Sequence, residues 1–175
     1  ERVKKFDPSL EYIKALLPFG WGFIFHVRRD GKDYVLKGDD TNSSEEISKV
    51  NNEMNALKRA KFIESVPNFI QYYEWGDAGY AFLKDYVHGS RLCDISKDIV
   101  LGKGLKRKLA VTVVKLHMIG VSNLDIEERN VIISPNHDDA RLFDFNTAIT
   151  NRGYNAINYG IGVSIDLFNL KRLNL

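Results

Sequence analysis

The sequence predicts an α+β protein with a β-rich first half that carries one helix and a mostly helical second half. Three observations carry that expectation. Short apolar runs alternate with turn residues over 19–37, apolar residues switch to helical spacing after Ser43, and helical periodicity dominates from about residue 90. The two parts meet near Gly89, where a cleft between two lobes is expected. At 175 residues, one substantial core or two small lobes can form.

Each element follows from a local pattern. Phe23-Ile24-Phe25-His26-Val27 and Tyr34-Val35-Leu36-Lys37 read as strands, turned by Asp30-Gly31. Ser43 supplies an N-cap with Glu46 as its capping-box partner, and Ile47, Val50, Met54 and Leu57 form a helical stripe. Pro67 lies past that helix. Phe69–Tyr73 and Tyr80–Leu83 read as further strands around Gly76-Asp77-Ala78-Gly79. Leu105, Leu109, Val113 and Leu116 recur at i, i+4, i+8 and i+11, the buried face of a helix ending near Gly120. Strands Val131–Ile133 and Arg141–Phe143 follow, joined by Pro135-Asn136-His137-Asp138. Residues 146–162, rich in Asn, Gly and Thr, read as loop, and a last helix is expected from about Ser164.

Composition narrows the function classes. Lys and Arg number 25 against 23 Asp and Glu, and the net charge of +2 makes no case for a nucleic-acid polymer as main ligand. A 44% hydrophobic content with 10 Phe and 8 Tyr excludes a disordered or collagen-like chain. The single cysteine, Cys93, excludes an internal disulfide framework and a cysteine-built zinc cluster; beside Leu92 it reads as a small core residue. No apolar run reaches the roughly 18 residues of a membrane span and no secretory signal opens the chain, so a soluble cytoplasmic protein is expected. His26, His88, His117 and His137 show no ligand spacing, and His117 reads as a packed helix-end residue. The run Lys103, Lys106, Arg107 and Lys108 reads as a solvated helix face.

Some residues stand out chemically. Gly20-Trp21-Gly22 fits a tight turn, or a glycine flap over nucleotide phosphates, because a strand rather than a helix follows it. Lys37 ends an apolar strand; it fits a snorkelling lysine, or a cation for phosphates held by a carboxylate on the next helix. Glu53, flanking the buried stripe, suits that carboxylate. The densest cluster runs from Asn123 through Asp125 and Asn130 to Asp144-Phe145-Asn146. An Asp, an Asn five residues later, a hairpin and an Asp at a strand end supply what phosphoryl transfer needs. Those needs are a carboxylate to orient a hydroxyl and oxygen ligands for Mg²⁺. A polar loop with an Asx-turn is the plainer alternative.

Together these residues resemble the protein-kinase-like superfamily over roughly residues 15 to 170. Gly20 to Val27 is similar to G-x-G-x-x-G-x-V with Phe25 at the third glycine, and Tyr34 to Lys37 to V-A-I-K. Asp125 to Asn130 is similar to D-L-x-x-x-N, and Asp144-Phe145-Asn146 to D-F-G. Leu83 to Gly89 resembles the interlobe hinge whose backbone meets adenine. The resemblance implies a two-lobed fold in one domain, with a β-rich N-lobe over 1–88 and a truncated, mostly helical C-lobe over 89–175. It implies ATP and Mg²⁺ as cofactors. Gly20, Gly22, Val27, Lys37, Glu53, Asp85 and Val87 would border the nucleotide. Asp125 would be the catalytic base, aided by Lys37, and Asn130 and Asp144 would hold the metal. Asp166 would brace the catalytic loop from below.

No A-P-E motif appears and the sequence stops just past Asp166, as in the minimal kinases: the RIO family, the small kinase of the tRNA-threonylcarbamoyl-modification complex and lipopolysaccharide-core sugar kinases. Asn123 stands where a histidine is usual, Asn146 where a glycine is. Glu127 occupies a lysine position and would repel phosphate unless turned away. The expected activity is transfer of the γ-phosphoryl group of ATP to a hydroxyl acceptor, protein Ser/Thr first and a sugar or other small molecule next. The alternatives are a pseudokinase scaffold and an ATPase that depends on a regulatory protein partner.

Overall fold

A computed structural model describes residues 2–16, 22–39, 44–74, 80–96, 104–150 and 156–173. Among these residues it is a mixed α+β fold with four α-helices and a five-stranded antiparallel sheet in the order β1-β2-β3-β5-β4. The expected features at Gly20, Trp21, Ser43 with Glu46, residues 76–79 and Lys103 lie outside what is described. No helix among the described residues is long and apolar enough to cross a membrane.

Strands β2 (Phe23–Arg29) and β3 (Lys32–Asp39) form the expected hairpin. Its two-residue turn needs left-handed backbone at both positions, and Asp30 and Gly31 supply φ of 51° and 75°. Helix α2 (Ser44–Arg59) then crosses to β4 (Phe69–Glu74), which pairs with β5 (Tyr80–Asp85). Arg59 ties the end of α2 to the carbonyls of Ile119 and Gly120 at 3.2 and 3.1 Å.

Side-chain alternation sorts the sheet into two faces. Phe23, Val27, Leu36, Ala81 and Leu83 pack in one cluster with Val3 and Leu10. Helix α1 (Arg2–Phe6) packs on that cluster through Val3 and Phe6, and β1 (Glu11–Ala15) adds an edge strand beside β2; both elements are absent from the sequence expectation. Helix α1 has only five residues, and none of the five residues of β1 is buried. Neither carries a periodic signal, and tertiary contact holds both. Asp7 anchors the segment by accepting from Ser9, from Tyr73 Oη at 2.9 Å and from Arg29 at 3.3 Å.

The opposite face shares a single core with the second half. Val50, Leu57 and Phe82 join Leu105, Leu109, Val113 and Leu116 of α3 (Leu105–Met118). Gly89 carries the chain across at φ 141°, and a Cβ there would lie 2.1 Å from the Ile133 carbonyl oxygen, so only glycine fits. Beyond it come β6 (Ser90–Arg91), β7 (Val121–Ser122), β8 (Val131–Ile133), β9 (Ala140–Leu142) and β10 (Ile149–Thr150). They form a β6-β8-β9 sheet and a β7-β10 pair.

Three expectations are corrected. Helix α4 spans Ala156–Arg172, so it starts eight residues before the expected Ser164, and the expected loop also contains β10. Gly160 and Gly162 suggested loop, but a Cβ at 162 would lie 2.7 Å from Ser122 Oγ, and close packing there outweighs helix propensity. Cys93 is exposed, because the turn Leu92–Asp94 buries Leu92 and turns its neighbour outward. The basic run is partly engaged: Lys106 donates to the carbonyls of Lys171 and Leu173, and Lys108 to that of Asp138.

Candidate functional site

A cavity of about 540 Å³ opens between the sheet and the second half, within the size range of small-molecule sites. Leu16, Ile24 and Val35 form its apolar wall on the sheet side and Ile132 on the other, while Lys37, Lys84, Asn130 and Asp144 bring charge and polarity. Asp85, Tyr86 and Val87 complete the rim where β5 leaves the sheet.

Lys37 reaches the cavity because β3 alternates, with Leu36 in the far cluster and Val35 and Lys37 on the near side. Its ammonium donates to Glu53 Oε2 at 2.5 Å, to Asn146 Oδ1 at 2.6 Å and to Asp144 Oδ1 at 3.2 Å. Those three bonds use all its donors. Burial works to lower the Lys37 pKa, but Glu53 and Asp144 outweigh it and hold the group above the ordinary lysine value. Burial likewise works to raise the Asp144 pKa, and the Lys37 and Lys84 cations bring it below the usual carboxylate value. Both groups are therefore charged at neutral pH.

Glu53 is fully buried and binds two cations, with Lys37 on one oxygen and Lys84 on the other. Lys84 also donates to the Phe143 carbonyl at 2.6 Å, tying the residue before Asp144 to β5. Sequence reading ended that strand at Leu83 and missed Lys84. The available signal was a charged residue continuing the buried alternation of Tyr80 and Phe82.

The second group of polar residues sits on the segment 123–130. Asn123 and Asp125 have φ of 59° and 49°, left-handed values that Asn and Asp tolerate better than most residues. The Leu124 N–H between them donates to Asp166 Oδ1 at 2.6 Å, and His117 Nε2 lies 2.9 Å from Asp166 Oδ2. Asp166 is thus a buried acceptor in mid-helix rather than the acid opening a helix. Asn123 donates to the Thr147 carbonyl at 2.7 Å, and Thr147 Oγ1 donates back to the Asn123 carbonyl at 2.9 Å. This reciprocal pair joins the Asp125 segment to the one carrying Asp144.

Asn130 donates to both the carbonyl and Oδ2 of Asp125 at 2.9 Å. With its Nδ2 hydrogens so committed, the donor it has to offer a cation is Oδ1. Asn130 and Asp144 both line the cavity, and their side-chain oxygens are of the kind a hard divalent cation takes. Among the described residues no group of three or more His, Cys, Asp or Glu forms a larger metal cluster. Glu127 lies 2.9 Å from Arg129 Nε, so its charge is met by a cation at the cavity mouth. Arg129 is a site residue that sequence reading did not single out.

Two expected nucleotide-site residues have other surroundings. Val27 belongs to the far cluster with Phe23, and Ile24 takes the place on the cavity wall that the glycine motif assigned to Val27. The reason is parity, because positions 23, 25 and 27 share one face of β2. Gly22 lies at φ 77°, and a Cβ there would meet the Gly38 carbonyl oxygen at 2.3 Å, so strand approach already demands glycine. The Asp85 carboxylate is held by Lys32 at 3.0 Å and Asn68 at 2.7 Å, and its backbone N–H donates to the Asn68 carbonyl at 3.0 Å. Val87 lies one residue past the last sheet hydrogen bond of this strand, from Tyr86 N to Asp33 O at 3.4 Å.

No known family model and no curated protein sequence matches this chain. What the cavity can do has to follow from its own residues.

Proposed function

We propose that this chain is a two-lobed kinase-like phosphotransferase of the cytoplasm that moves the γ-phosphoryl group of ATP to a hydroxyl. The observation that carries the reading is the buried Lys37–Glu53 pair at 2.5 Å with Asp144 3.2 Å from the same ammonium. A fixed cation beside a carboxylate at the wall of an apolar cavity is what a nucleotide with its metal needs.

In this reading the base lies between the apolar walls, against the backbone of Asp85 to Val87, and Lys37 meets the phosphates. Asn130 and Asp144 would hold Mg²⁺, which when bound neutralises charge on the phosphate oxygens. Asp125 orients the acceptor hydroxyl and takes its proton. The acceptor oxygen bonds to the γ-phosphorus as the bond to the β–γ bridging oxygen breaks, and ADP leaves. The acceptor is a protein Ser/Thr, with a small molecule or sugar as the alternative.

A scaffold that binds without transfer is the second reading, and Asn146 favours it. Its Oδ1 accepts from Lys37 at 2.6 Å while its Nδ2 donates to Asp144 Oδ2 at 3.2 Å. One amide thus occupies both the phosphate-facing and the metal-facing group.

Calorimetric titration with ATP, with and without Mg²⁺, tests the proposal. Binding that requires Mg²⁺ and is lost in Asp144→Asn is expected. At 100 times the dissociation constant it should also stabilise the fold by about 2.7 kcal/mol. No heat at millimolar ATP would end the nucleotide reading. Binding without transfer to any hydroxyl would leave the scaffold.

A further inference from the structure

We propose that Lys84 is a positioning residue that leaves Lys37 with positive charge to offer a phosphate, by taking up half of the Glu53 carboxylate. This deepens the nucleotide reading of the same cavity and rests on it. Glu53 is fully buried, and each of its oxygens meets a different ammonium: Oε2 accepts from Lys37 at 2.5 Å and Oε1 from Lys84. Lys84 lines the cavity while being nearly as buried as Glu53.

A charge count decides what the second lysine does. Lys37, Lys84, Glu53 and Asp144 carry two positive and two negative charges, a neutral cluster. A cation bound by Asp144 takes up that carboxylate, and the three remaining groups then carry one net positive charge toward the phosphates. Without Lys84 the remainder is Lys37 with Glu53, which is neutral. Between groups out of water, one unit of charge counts for far more than it does at a surface. Lys84 is also near enough to Asp144 to help keep that carboxylate ionised. Its second bond, to the Phe143 carbonyl at 2.6 Å, is a tether that would persist whatever the charge balance. The test has to separate the two roles.

ATP affinity in the presence of Mg²⁺ is measured by calorimetry on the full chain as wild type, Lys84→Met, and Lys84→Met/Glu53→Gln. Methionine keeps the length of the side chain and removes its charge. Lys84→Met is expected to weaken binding by about tenfold or more. The double variant is expected to bind severalfold more tightly than Lys84→Met alone, because removing the Glu53 charge restores the net positive charge of the remaining cluster. A single variant that binds like wild type overturns the inference. So does a double variant no better than the single one, since the tether to Phe143 would then be what matters. If Lys84→Met fails to fold, Lys84→Gln, which removes the charge but keeps an N–H donor, takes its place: weakened binding supports the inference and wild-type binding overturns it. A wild type that does not bind ATP removes the nucleotide reading itself, and this inference with it.

Discussion

The cluster of Lys37, Glu53, Lys84 and Asp144 and the segment 123–130 meet one cavity, through Lys37, Lys84 and Asp144 on one side and Arg129 and Asn130 on the other, under different solvent conditions. In the cluster the Glu53 side chain is 0% exposed, Lys84 4% and Lys37 9%, with Asp144 at 23% on its open edge, whereas Asp125 is 33% exposed, Glu127 49% and Arg129 62%. Buried charges of this kind must stay paired, because the cost of leaving one alone exceeds anything a surface pair contributes. The exposed side chains have no such constraint, so Asp125 can meet a ligand without stranding a buried charge. Under the proposed function, the dry cluster holds the nucleotide and the wet segment reacts.

Substitutions at each region should therefore fail in different ways. Asp125→Asn, chosen because asparagine tolerates the φ of 49° found there, should lower phosphoryl transfer by about 10²–10⁴-fold. The urea midpoint and the affinity for ATP with Mg²⁺ should hardly change. An equal loss of stability would break the comparison. Glu53→Ala should do the reverse first, because it strands two buried lysines. The free energy of unfolding is expected to fall by about 3–5 kcal/mol, read from urea denaturation. A stable Glu53→Ala protein would mean that water reaches the cluster.

Asn146 lies at the border of the two regions, where its amide holds Lys37 and Asp144 together. Asn146→Ala should tighten binding of ATP with Mg²⁺ by about tenfold or less, since the ligand no longer displaces those bonds. Weaker binding would show instead that Asn146 helps to build the site. The smallest effect is the pH dependence. Asp144 is held below 3.8, so its share of stability is present above that pH and disappears as the pH falls further. Lys37 is held above 10.5, so its share is present below that pH and is lost as the pH rises through the folded-state value. The urea midpoint should be flat from about pH 5 to 9 as far as these groups are concerned, and Asp144→Asn should soften only the acid limb.

Local patterns in the sequence determined the hairpin around Asp30-Gly31, the buried stripes of α2 and α3, and the order Lys37, Glu53, Asp125, Asn130, Asp144 along the chain. Those features depend on turn chemistry and periodicity within a few residues, and both are visible without a fold. The tertiary structure alone decided the rest. The ion pair from Lys37 to Asp144 spans 107 residues, and nothing near either residue announces the other. Lys84 became a site residue only when β5 was laid beside α2. Ile24 replaced Val27 at the cavity because the strand's parity is set by which face the core covers. Segments α1, β1 and the first two turns of α4 carry no strong pattern of their own; packing holds the two helical segments, and pairing with β2 holds β1. Charge pairing and close packing are relations between distant parts of the chain, and only folding brings those parts together.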